Sequence, residues 1–162
     1  MLIETNAHKL TKQEMFKLAL YDNIKAYKWF FIIIGIITVY ALTQYHKDGP
    51  SRFMTYFGFI YPIFYVYFIY QTLSSKSNRI FYKQRTLTFN ESKIEAILGG
   101  EDVLDSTIKS EYPYDMIIKK DRFKDYWLLY IAKGQYIPVP QSSFKNEQDL
   151  SAFIELINKK VK

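Results

Sequence analysis

The chain has 162 residues, no cysteine, 19% aromatic residues and a formal net charge of +6. That length suits one compact domain of ordinary size, and the absence of cysteine excludes disulfides and thiolate zinc sites. Mean hydropathy is only −0.15 although 49% of residues are hydrophobic, so apolar and charged residues are segregated, with the dense apolar sequence running from Trp29 to Leu73. The cations flank apolar segments and do not cluster on a groove-reading element, which argues for a membrane protein and against a nucleic-acid partner.

Met1 to Leu10 is a polar lead in which Leu2, Glu4 and Asn6 fit an edge strand. Thr11 with Glu14 three residues on has the form of a capping box and predicts a helix start. Phe16, Leu20, Ile24 and Tyr27 make an apolar stripe, with Lys17, Lys25 and Lys28 on another face. This pattern predicts either an amphipathic helix in the membrane interface or the cytoplasmic end of a first spanning helix. Residues 1–28 are therefore read as a lead plus amphipathic helix.

Trp29 to Tyr45 carries no charge, but its helical length is roughly 25 Å, short of a hydrocarbon core of about 30 Å. Extending the helix back through Ile24 repairs the shortfall, because Lys25 and Lys28 can snorkel to the headgroups. His46 to Arg52 has turn composition, and Phe53 to Leu73 is again uncharged and reaches roughly 31 Å, a full crossing. Residues 29–75 are read as a transmembrane hairpin of antiparallel helices. The first run starts too late for a secretory leader and is read as a retained anchor. Lys12, Lys17, Lys25 and Lys28 precede the first run, and Lys76, Arg79, Lys83 and Arg85 follow the second. The loop has only Lys47 and Arg52, so the positive-inside rule places both termini in the cytoplasm.

From Arg85 the apolar residues recur with period two. Arg85 to Asn90, Ile94 to Leu98, Val103 to Ser110, Tyr114 to Lys120, Tyr126 to Ala132 and Gln135 to Pro140 predict six short strands. Glu91-Ser92, Gly99 to Asp102, Asp121 to Asp125 and Lys133-Gly134 are the turns between them. A last helix opens at Asn146 or Glu147, with Leu150, Phe153, Ile154 and Ile157 on its apolar face and Lys159, Lys160 and Lys162 at its end. Residues 76–162 are read as a cytoplasmic domain. The predicted class is α+β: the helical hairpin, then a pleckstrin-homology-like antiparallel barrel closed by the C-terminal helix.

The stretches Arg85 to Asn90, Tyr112-Pro113-Tyr114-Asp115, Asp125 to Ile131 and Tyr136 to Pro140 before Phe144 resemble the YcxB-like family of bacterial membrane proteins. The resemblance implies a bacterial cytoplasmic-membrane location and the same order of parts. It implies no catalytic residues.

No residues group for chemistry. His8 and His46 are far apart in sequence, no phosphate-binding loop or nucleophile elbow occurs, and no charged residue lies within either apolar run, Trp29 to Tyr45 or Phe53 to Leu73. No catalytic, cofactor or metal site is expected. Lys76, Arg79, Lys83 and Arg85, with Lys120, Arg122 and Phe123 on a charged hairpin, are expected to contact lipid headgroups. Gly35, Gly58, Tyr61, Pro62 and Tyr65 are expected at helix contacts, with an identical neighbour or a protein partner as further occupants and Pro62 as a kink. The function expected is a non-enzymatic membrane-anchored scaffold or regulator whose cytoplasmic domain binds a protein or anionic lipid surface. The alternative is an immunity-type protein that neutralises a membrane-acting toxin through its helices.

Overall fold

The computed structural model describes residues 2–44, 50–74, 83–99 and 108–161. The chain divides into two units, Met1–Thr11 with Ile80–Lys162, and Lys12–Arg79. The boundary expected near residue 28 thus falls at Thr11. The polar lead joins the β-rich unit, and the amphipathic helix joins the apolar ones.

In the helical unit, α1 (Lys12–Ala26), α2 (Lys28–Thr43) and α3 (Pro50–Ser74) follow in order. α1 starts directly after Thr11, but its buried residues are Met15 and Leu18, while Ile24 and Tyr27 of the expected stripe are exposed. α2 does not extend back through Ile24. Tyr27 (φ −114°, ψ 21°) leaves the helical region, and α1 and α2 meet at a bend of 74°. The bend is held by contacts with α3: Tyr65 Oη donates to Asn23 Oδ1 at 2.9 Å, and the Phe16 and Tyr70 rings meet edge-on at 6.1 Å. A straight continuation would carry Asn23 and Phe16 away from both partners. α3 is one helix through Pro62, and Arg52–Ser74 is long and apolar enough to cross a membrane. The bent pair α1 and α2 meets that criterion only when taken together.

The second unit holds two separate antiparallel sheets among the described residues, not the closed barrel expected. The first has the order β1 (Ile3–Glu4), β2 (Gln84–Phe89), β3 (Lys93–Gly99), β4 (Ile108–Pro113). The second has the order β5 (Lys119–Phe123), β6 (Tyr126–Ala132), β7 (Gln135–Pro140). The whole helical unit is therefore an insertion between two paired strands, β1 and β2.

The expected strand from Tyr114 to Lys120 is a 3-10 turn at Tyr114–Met116 followed by β5 from Lys119. Pro113 cannot donate to a ladder. The buried Tyr114 hydroxyl donates to the Asn90 carbonyl at 2.9 Å, which pins the passage from the first sheet to the second. Burial pushes this phenol up to about 12. The Asn90 side chain also accepts from the Ser92 and Lys93 amides at 3.0 and 2.8 Å, closing the β2–β3 turn. The expected strand from Val103 to Ser110 begins at Ile108, its earlier part lying outside the described residues.

α4 (Glu147–Lys160) packs its apolar face into the core formed by both sheets. Asn146 caps it, its side chain accepting from the Asp149 amide at 2.8 Å. Phe153 is fully buried, with ring centroids 4.8 Å from Phe89, 4.9 Å from Phe144 and 6.1 Å from Trp127.

Candidate lipid-facing surface

α2 and α3 pack through aromatic side chains. Phe30 meets Tyr61 at 5.6 Å, Phe31 meets Tyr65 at 5.3 Å, and Phe57, Tyr61 and Tyr65 follow one another along α3. Above this ladder the backbones approach closely, because Gly58 faces Thr38. A Cβ at Gly58 would lie 2.8 Å from both Cβ and Cγ2 of Thr38. Gly35 differs from expectation: nothing lies within 4 Å of a Cβ placed there. It forms a notch on the outer face of α2 among Ile32, Ile36, Val39, Tyr40 and Thr43.

The remaining faces of the two helices are apolar and open. Trp29, Ile36, Val39 and Tyr40 on α2, and Phe53, Ile63, Phe64 and Phe68 on α3, are each more than 60% exposed. Apolar surface this continuous is rare on a water-soluble monomer.

The expected headgroup cations fare differently. Lys76 and Arg79 lie outside the described residues, and Lys83 is half-buried in the segment before β2. Arg85 is only 8% exposed, and burial lowers its pKa, against an opposing influence from Tyr112. Its position on β2 points it inward, so it is not a headgroup contact. Lys120 is also committed: its ammonium donates to the carbonyls of Val161 at 2.6 Å and Ile157 at 3.4 Å, where a cation complements the C-terminal end of α4.

Arg122 is exposed and lies 5.9 Å over the Trp127 ring, with its guanidinium 3.5 Å from the Gln141 side chain. Phe123 is half-buried beneath Lys124, whose ammonium is 5.6 Å from the ring centroid. The β5–β6 turn therefore presents Arg122 and Lys124 to solvent. Lys124 adopts a left-handed conformation there, with φ 52°.

Sequence reasoning missed Thr5. It is buried, donates through its hydroxyl to the Leu87 carbonyl at 3.2 Å and accepts from the Leu87 amide at 2.9 Å. The next amide, of Asn6, reaches the Ser143 carbonyl at 2.7 Å, so the lead joins β2 to the segment before α4. A single Thr in a polar stretch carries no local signal of this role.

Among the described residues no group of His, Cys, Asp or Glu could hold a metal ion. His46 lies outside them. Residues 102–157 match the family described as YcxB-like protein. No curated protein and no solved structure matches the chain.

Proposed function

The chain is YcxB-like across residues 102–157, and from that premise we propose that it is a non-enzymatic membrane-anchored scaffold. Its α2–α3 hairpin spans the bacterial cytoplasmic membrane, and its β-rich unit serves as a cytoplasmic binding module. The open apolar faces of α2 and α3 carry this reading. Two sheets of four and three strands with a C-terminal helix fit a pleckstrin-homology-like module. With no cysteine in the chain, single cysteines report orientation without interference. In intact cells, Ser51→Cys is expected to react with a membrane-impermeant maleimide, and Ser142→Cys only after lysis. Protection of Ser51→Cys before lysis, with reaction of Ser142→Cys, would reverse the orientation. Release of the protein by alkaline carbonate would remove the anchor altogether.

The binding surface is assigned to an anionic lipid layer met by Arg122 and Lys124, which project from the β5–β6 turn. A chain joining Met1–Leu10 through a short turn to Lys83–Lys162 is expected to bind anionic vesicles weakly and to release them as salt is raised. Replacing Arg122 and Lys124 together by Gln is expected to weaken that binding by roughly 10–30-fold, at about 1 kcal/mol per cation. Co-sedimentation measures this. Equal binding to neutral and anionic vesicles would assign the surface to a protein partner.

A further inference from the structure

We propose that the helical hairpin is built for a thin hydrocarbon layer, with α1 and the tyrosine-rich Tyr65–Ser74 of α3 forming an interfacial collar at one face of the bilayer. The inference rests on the membrane-anchored reading and adds the depth at which each segment lies. It also names the lipid that fits: a short-chain or locally thinned bilayer.

The first observation is the bend. α2 alone, Lys28–Thr43, is about 24 Å long at 1.5 Å per residue, well short of the roughly 30 Å of an average core. The 74° bend at Tyr27 prevents α1 from completing a straight crossing.

The second is what α1 carries and where it packs. Lys17, Asp22, Asn23 and Lys25 are all on α1 and would be costly in hydrocarbon. Yet Asn23 is bonded to Tyr65, and Phe16 meets Tyr70. The section of α3 from Tyr65 onward must therefore share the polar depth of α1. The side chains of both segments agree: on α3 Gln71 Nε2 donates to the Tyr67 hydroxyl at 2.6 Å, and on α1 Lys25 Nζ donates to the Tyr21 hydroxyl at 3.2 Å. Lys28 lies 5.6 Å over Trp29 at the start of α2. Tyrosine, tryptophan and lysine at one level are the side chains of a membrane–water interface.

The third observation follows from that depth. On α3, the stretch from Arg52, its exposed cation near the opposite end, to Tyr65 covers about 20 Å. With α1 at interfacial depth, both helices have a reach shorter than an average core. A shorter-than-bilayer hairpin is accommodated by thin lipid or by local thinning.

The test uses the full chain with one nitroxide at Ile24→Cys, Ile36→Cys, Ile60→Cys or Phe68→Cys, all at exposed positions. Reconstituted protein is compared for collision with oxygen and with a water-soluble nickel chelate. Ile36 and Ile60 are expected to be oxygen-accessible and shielded from nickel. Ile24 and Phe68 are expected to show several-fold greater nickel collision, as at headgroup depth. In a series from dimyristoleoyl- to dierucoyl-phosphatidylcholine, insertion is expected to be best at the short-chain end. Phe68 as shielded as Ile60, with best insertion in long chains, would overturn the thin-layer inference and leave the anchor intact. Nickel access at all four positions would overturn the membrane-anchored reading itself, and this inference with it.

Discussion

A chain beginning at Lys83 is expected not to fold, whereas the same chain preceded by Met1–Leu10 and a short turn is expected to unfold cooperatively. The lead supplies Ile3, which is 2% exposed, and Thr5, which is 1% exposed, to the edge of the first sheet. Removing Ile3 forfeits roughly 1.5–3 kcal/mol of apolar burial. Removing Thr5 leaves the Leu87 amide and carbonyl without their partners at 2.9 Å, and removing Asn6 frees the Ser143 carbonyl. Each buried group so orphaned costs about 1–3 kcal/mol. The losses together reach the about 5–15 kcal/mol that holds a typical domain. The join is geometrically simple, because His8 and Arg85 exchange both backbone hydrogen bonds, at 2.9 and 2.8 Å, and a short turn can link the strands beyond them. Urea titration followed by Trp127, the only tryptophan left once Trp29 is removed, gives the measurement. Matching cooperative transitions with and without the lead would show that β1 is dispensable.

Phe153→Ala is expected to destabilise the β-rich unit by roughly 3–5 kcal/mol. The ring is fully buried and is the one side chain of α4 in ring contact with Phe89 of the first sheet, Trp127 of the second and Phe144 between them. Its removal leaves a cavity bounded by two sheets and a helix, none of which can collapse without giving up other contacts. The same urea titration reads the change as a lower midpoint at unchanged slope. A loss below about 1 kcal/mol would mean that neighbouring side chains refill the site. Lys120 offers a contrast: its ammonium donates to the carbonyl end of α4, so Lys120→Met is expected to cost about 1 kcal/mol, the scale of a helix-end cation.

Local periodicity made several elements legible. The uncharged runs on either side of His46 to Arg52, the alternation of Leu87 and Phe89, and the Leu150–Phe153–Ile154–Ile157 face of α4 are each written within one element. A helix or strand imposes its period on neighbouring residues, so composition and spacing suffice to find it. The C-terminal helix, opening at Asn146 or Glu147, follows from this reasoning, as do the positions of most strands.

What required the tertiary structure depends on partners far away in sequence. Ile3 and Thr5 become core only because β2, more than eighty residues later, lies beside them. Arg85 reads as a juxtamembrane cation from its neighbours, yet the strand pairing of β2 between β1 and β3 buries it. Lys120 reads as a surface charge until the end of α4 arrives at its ammonium. The bend at Tyr27 has no proline or glycine to announce it; it exists because Asn23 and Phe16 find Tyr65 and Tyr70 on another helix. Two sheets in place of a closed barrel follow likewise from how the strands pair, which the alternation within each strand does not encode. The sequence by itself determined most of the segments that are helix, strand or apolar. Long-range hydrogen bonds and ring contacts decided which of their side chains face water, because those partners are chosen by packing and not by spacing.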